Sequence, residues 1–164
     1  MFGQLKLNVD ISEFQKLNYN KATITREYLN KYGVSGHNLS NITIWNYFEP
    51  NPMPDVVYQI KDHFDYDVCS VAVNLTKPGD YLPLHSDRYE RWMEVFEVDN
   101  VEKIYRHIVM LEDCVPGQMI QIHKNVYTSW SCGSFYGWRG TAQHAIYNFS
   151  TENRYAIQVT GIRH

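Results

Sequence analysis

Two histidine–aspartate triplets, His63-Phe64-Asp65 and His85-Ser86-Asp87, are the first spacing in this chain that could do chemistry. An imidazole and a carboxylate can share one divalent ion only if both point the same way. The first triplet ends an apolar run of helical period (Val56, Val57, Ile60, Phe64), and on a helix positions i and i+2 lie about 200° apart. The second lies in "YLPLHSD", which reads as a strand, where i and i+2 share a face. Only His85 and Asp87 have chelating geometry. A carboxylate in so apolar a run is costly to bury unless it meets a metal, a cation or water. The pair alone also fits a plainer role, a histidine hydrogen-bonded to a neighbouring carboxylate at a strand end.

A third ligand decides between these. His107 and His123 sit at the ends of apolar strand runs beside Arg106 and Lys124 and read as solvated. His144, 59 residues beyond His85, lies in "WRGTAQHAIYNFSTENRYAIQVTG". If "FSTEN" closes a hairpin, His144 faces Gln158, Ile146 faces Ala156 and Asn148 faces Arg154. Cross-strand partners share a face, so one face carries these residues and Thr160. The other carries Tyr147, Phe149, Tyr155, Ile157 and Val159. A polar, cationic face opposite a greasy one suits a barrel with a polar interior, packed outside against helices. Two histidines and one carboxylate with open positions are the ligand set of non-haem Fe(II) oxygenases. Arg154 on the same face offers a fork for a carboxylate.

The elements that must position these residues fall into two groups. "ISEFQKLNY", "ITREYLNKYG" (closed at Gly33) and "PDVVYQIKDHF" read as short N-terminal helices, with "NITIWNYF" a strand among them. From Asp67 onward short β-branched and aromatic runs alternate with Gly, Pro, Asn and Asp, which predicts six or more antiparallel strands. The expected fold is mainly β, with two or three helices gathered at the N-terminal end. At 164 residues, with no repeat or linker, the chain reads as one domain over 1–164. A net charge of −3 argues against a nucleic-acid surface. Three cysteines without a CxxC indicate neither a disulfide framework nor a zinc knuckle. With no signal-like or membrane-length apolar run, a cytoplasmic location without membrane contact is expected.

Taken together, "KPGDYLPLHSD", the HxD at His85 and Asp87, His144, and Arg154 ten residues later resemble the 2-oxoglutarate and Fe(II)-dependent dioxygenase superfamily. The similarity is to its small prolyl-4-hydroxylase-like branch of bacterial and phage type and covers roughly residues 67 to 162. The resemblance implies a double-stranded β-helix (jelly roll) holding Fe(II) on His85, Asp87 and His144. It implies 2-oxoglutarate chelating the metal, with its far carboxylate on Arg154. With O₂, 2-oxoglutarate would be decarboxylated to succinate while an unactivated C–H is hydroxylated. Tyr81, on the His85 face by simple strand parity, is expected as a second contact to the far carboxylate. Asn74 and Asn148 are further candidates for cofactor binding, against an equal case for local turn bonding. Residues 88–105, directly after the HxD, are expected as a lid, against a plain surface helix. The implied substrate is peptidyl proline or another amino-acid-like group, with a small metabolite close behind. Two other readings remain: a cupin-like, non-oxidative metalloenzyme, and a metal-free jelly-roll binding module.

Overall fold

The structure, a computed structural model, describes residues 1–22, 24–31 and 42–163, the Tyr28 side chain excepted. The expected helix cap at Gly33 lies outside them. In chain order the strands are β1 (Phe2–Gln4), β2 (Asn20–Lys21), β3 (Trp45–Phe48), β4 (Val68–Thr76), β5 (Tyr81–His85) and β6 (Ile104–Met110). They continue as β7 (Gln118–Ile122), β8 (Asn125–Tyr127), β9 (Ser134–Arg139), β10 (His144–Asn148) and β11 (Arg154–Ile162). Helices α1 (Ile11–Gln15), α2 (Arg26–Lys31) and α3 (Asp55–His63) precede β4, and α4 (Glu90–Val95) follows β5. The Asp10 carboxylate caps α1 by accepting from the Ser12 amide at 3.0 Å. α3 starts after Pro54 and buries Val56, Val57 and Ile60, the helical stripe read from sequence.

Seven strands form one sheet, in the order β1-β9-β6-β11-β4-β3-β2, and four form the other, β5-β10-β7-β8. From β4 onward the chain crosses repeatedly between the two, and all pairings of named strands are antiparallel. That winding is a double-stranded β-helix, and the chain is a mainly β jelly roll. No described helix is long and apolar enough to cross a membrane. Cys69, Cys114 and Cys132 are all free thiols.

The hairpin expected between β10 and β11 does not form. β10 pairs with β5 and β7, whereas β11 pairs with β4 and β6. The "FSTEN" segment is instead a corner between sheets, and Asn148 builds it. Its amide donates to the carbonyls of Thr76 and Glu152, at 2.7 and 2.8 Å, while its Oδ1 accepts from the Ser150 amide and hydroxyl. β10 and β11 therefore face each other across the barrel. The outward face of β11 (Tyr155, Ile157, Val159) packs with Phe14, Val57 and Ile60 of the helices. On its inward side, Ala156 joins Ile108, Met110, Ile120 and Trp138.

His107 is not solvated as its neighbours suggested. Strand alternation turns it to the helix side of β6, where only 2% of it is exposed. Its Nδ1 lies 2.8 Å from the Tyr66 hydroxyl and its ring stacks on Phe64 at 4.2 Å. Gly137 on β9 makes this possible, because a Cβ there would lie 2.4 Å from the His107 ring. His123 is exposed at the β7–β8 turn. The segment 88–105 packs Tyr89, Val98 and Ile104 with Trp92 and Phe96 against Ile162. Trp92 Nε1 donates to Ser70 Oγ at 2.8 Å, which fastens α4 to the edge of β4 rather than over the cavity described next.

Candidate metal centre

His85 ends β5 and His144 begins β10, and the antiparallel register sets them directly opposite each other. Their ring centroids are 4.4 Å apart. Each imidazole is fixed from behind by a carbonyl two residues earlier: His85 Nδ1 lies 2.7 Å from Pro83 O, and His144 Nδ1 lies 3.0 Å from Ala142 O. A carbonyl only accepts, so each Nδ1 carries a proton and each Nε2 is the nitrogen left to face the centre. Both Nε2 atoms converge on Asp87, His85 on Oδ1 at 3.5 Å and His144 on Oδ2 at 3.4 Å. The three donor groups lie within 4.8 Å of one another. Backbone carbonyls orienting ligand imidazoles in this manner are a recurrent feature of metal sites.

The position of His85 depends on an irregularity. Pairing runs His144 to His85 and then Ile146 to Leu82, so β5 carries one residue more than β10 over this stretch. Pro83, which has no N–H for the ladder, lies within the bulge. One extra residue inverts the side-chain alternation. Leu82 and His85 both face the cavity, while Tyr81 turns outward and stacks on Tyr147 at 6.0 Å. The parity that placed Tyr81 beside His85 is thus broken, and Tyr81 does not line the metal pocket.

Arg106, named in the sequence only as the neighbour of His107, completes the centre. From β6 its guanidinium bonds Asp87 Oδ2, its Nε donates to Thr160 Oγ1 at 3.2 Å, and it lies 4.6 Å from the Tyr89 ring. Burial would raise the Asp87 carboxyl, but Arg106 and then the two imidazoles outweigh it and hold it far below the usual carboxylate range. Burial pulls His144 down to about 4 against the opposing pull of Asp87, so its imidazole is neutral near pH 7. An ionised Asp87 carboxylate and a neutral His144 imidazole are the protonation states a divalent cation requires. A signal for Arg106 was present: an arginine inside the apolar run "IYRHIVM" needs an internal anion, and Asp87 was already placed inside.

The triad opens into a cavity of about 180 Å³. Trp138 stacks on His144 at 4.4 Å and forms one wall. Ile24, Leu29, Ile44 and Phe48, from the N-terminal elements, form the other.

Arg154 starts β11 and lies at the far end of the barrel. It does not line this cavity but borders a smaller one of about 20 Å³ with Glu112, Gln118 and Glu152. Only 3% of it is exposed. Nη2 donates to Thr76 Oγ1 at 2.9 Å, while Nε and Nη1 have no partner among the described residues. Burial pulls its guanidinium down to about 10. Asn74 is buried on β4 and donates to Asn46 Oδ1 at 2.8 Å; its own Oδ1 is also without a partner. Asn148 is engaged in the corner and does not reach the metal pocket.

No family model and no curated protein matches the chain. Among solved structures it is similar to the Cnp3 cupin domain of Schizosaccharomyces pombe, at 8% identity and TM-score 0.45, covering 79% of this chain and 75% of that one. It is also similar to KdgF from Halomonas sp., at 7% identity and TM-score 0.46, covering 74% and 80%. A third similarity is to the cupin domain of an XRE family transcriptional regulator from Enterobacter cloacae, at 11% identity and TM-score 0.45, covering 74% and 98%. The fold assignment itself rests on the strand order of this chain.

Proposed function

We propose that the chain is a 2-oxoglutarate- and Fe(II)-dependent dioxygenase that hydroxylates an unactivated C–H. The observation that carries this reading is the convergence of His85 Nε2, His144 Nε2 and the Asp87 carboxylate at the mouth of a cavity. Such a two-histidine, one-carboxylate face leaves coordination positions open, as non-haem Fe(II) oxygenases require. When bound, iron and the oxoacid would supply O₂ activation and the oxidising equivalents.

The residues themselves do the rest. Pro83 O and Ala142 O accept from the two Nδ1 atoms and turn both Nε2 atoms towards the centre. Arg106 keeps Asp87 ionised and oriented. Trp138 and the aliphatic wall shelter the centre from water. Arg154 supports the cosubstrate assignment because Nε and Nη1 of its buried guanidinium have no partner among the described residues, although Glu112 and Glu152 border the same cavity. Ala156 lies between it and Gln158 of the cavity on the inward side of β11. The far carboxylate of a dicarboxylic oxoacid has the chemistry to fill that end.

The separate cavity of Arg154 favours a second reading, a cupin-like, non-oxidative metalloenzyme using the same triad. One experiment divides the two. Anaerobic protein with Fe(II) and 2-oxoglutarate should develop the weak visible charge-transfer band of the chelate, and air should then release succinate. Iron binding without band or succinate would select the non-oxidative reading.

A further inference from the structure

Eight of the nine residues of β11 are buried, and the exception is Gln158. It lies at the middle of the central strand of the larger sheet, between Ala72 on β4 and Ile108 on β6. Its exposure is to the metal cavity, which it lines. Two residues further along β11, roughly 7 Å at strand rise, Thr160 holds Arg106, which in turn holds Asp87. A glutamine so placed normally finds a partner in the protein, since a polar group left unbonded inside costs free energy. The Gln158 carboxamide has none among the described residues. The two charged groups of the lining, Asp87 and Arg106, are bonded to each other.

We infer that Gln158 reads a neutral amide on an aliphatic substrate bound beside the metal, an inference that rests on the catalytic reading of the centre. A carboxamide presents one acceptor and one donor group in a plane, and another amide answers both. A carboxylate would set an oxygen against the Gln158 carbonyl, and a hydrocarbon would leave both groups unbonded. The substrate's body is aliphatic because Ile24, Leu29, Ile44, Phe48, Leu82 and Ile146 make up most of the remaining lining. Asn46 on β3 adds a second polar point. Its Oδ1 accepts from Asn74, and its NH₂ group has no partner among the described residues. It suits a second carbonyl of the same molecule, so the chemical class is peptide-like: an acyl amide with an aliphatic side group.

The test uses the full chain loaded with redox-inert Zn(II), without 2-oxoglutarate. Isobutyramide and isobutyrate, matched in shape, are titrated separately and followed by ¹H–¹⁵N NMR. Isobutyramide should shift the Gln158 side-chain resonances. Gln158→Met, equal in length and without hydrogen-bonding groups, should weaken it about tenfold or more and leave isobutyrate, which can ligate zinc, unchanged. If the methionine disturbs the fold, Gln158→Leu makes the same comparison, again without a hydrogen-bonding group or a charge. Equal amide affinity in parent and variant overturns the inference, as does a parent that binds no amide. The Fe(II)–2-oxoglutarate band is then recorded for both proteins. A band weakened by Gln158→Met with amide binding intact would assign Gln158 to the cosubstrate and also overturn it. Absence of the band in both, with amide discrimination retained, would remove the oxygenase reading and leave the amide site standing.

Discussion

Asp87 has more partners than a metal ligand alone needs, and its variants should behave unlike those of the histidines. His85→Ala or His144→Ala removes one donor and leaves the Asp87–Arg106 pair in place. Fe(II) affinity, measured by competition with a coloured chelator, should fall by a hundredfold or more, with a modest shift in the urea midpoint. Asp87→Ala removes a ligand and also the anion bonded to Arg106, and breaking such a largely buried pair costs on the order of 3 kcal/mol. Its metal-free form should therefore unfold at clearly lower urea than either histidine variant. Arg154→Ala should leave iron binding intact and raise the half-saturating 2-oxoglutarate concentration by over a hundredfold, as expected for about 3–5 kcal/mol lost from a buried pair. Succinate formation against cosubstrate concentration measures it, and an unchanged half-saturation point would place the oxoacid elsewhere. The convergence of His85, Asp87 and His144 was legible from the HxD triplet and its spacing to a second histidine, although the hairpin expected to place His144 does not form. Arg106 carried a weaker signal, an arginine inside an apolar run, and its link to Thr160 and Asp87 appears only once β6 is known to lie beside β11.

At the scale of elements, the bulge in β5 decides which residues can take part in chemistry. Simple alternation put Tyr81 on the His85 face, and the extra residue around Pro83 and Leu84 moved it to the opposite one. The helices and strands themselves were readable from period and turn residues. What the sequence did not reveal was pairing. A five-residue gap between β10 and β11 fits a hairpin as well as a corner, and the choice depends on Asn148 bonding to Thr76 on a third strand. The bulge gives a direct prediction. Deleting Leu84 restores equal residue counts on β5 and β10 and leaves Leu82 and His85 two apart, on one face by ordinary alternation and still opposite Ile146 and His144. Fe(II) affinity should therefore be retained, with the far-ultraviolet circular dichroism of the β fold unchanged. Loss of Fe(II) binding in a folded deletion variant would show that the bulge aims His85 by more than side-chain parity.

Across the whole molecule, an antiparallel β barrel was legible from strand count and spacing and the jelly roll from the resemblance, while the contrast between the two faces of β11 marked its inward side, where Gln158 lines the cavity. The buried state of His107 was not legible, because it requires Gly137 on a neighbouring strand and Phe64 from α3. It has a consequence for stability against pH. Burial pulls the His107 imidazole down to about 4 from an ordinary value near 6.5. The unfolded chain therefore binds a proton at this residue in a window where the folded chain does not. The contribution is fully present above about pH 6.5 and is lost as pH falls from there towards 4, by up to about 3 kcal/mol. His107→Gln keeps a hydrogen-bonding partner for Tyr66 and removes the titration. Urea midpoints for the two proteins at pH 7 and pH 4.5 should show a smaller drop in the variant. Equal drops would mean that His107 is protonated in the fold.

The ligand cluster also stands at a seam. His85 and His144 belong to the four-stranded sheet, whereas Asp87 is tied through Arg106 to Thr160 of the seven-stranded one. An ion gripped by all three would act as a rivet across this end of the barrel, adding to the Asp87–Arg106 pair and the Trp138–His144 stacking that already cross it. Chelation should then leave hydrogen exchange along β4 and β11 unchanged while quickening it at the backbone amides from Ser86 to Tyr89 and at the start of β10. Proteases should cut the metal-free chain first between Ser86 and α4, at a site that added Zn(II) closes.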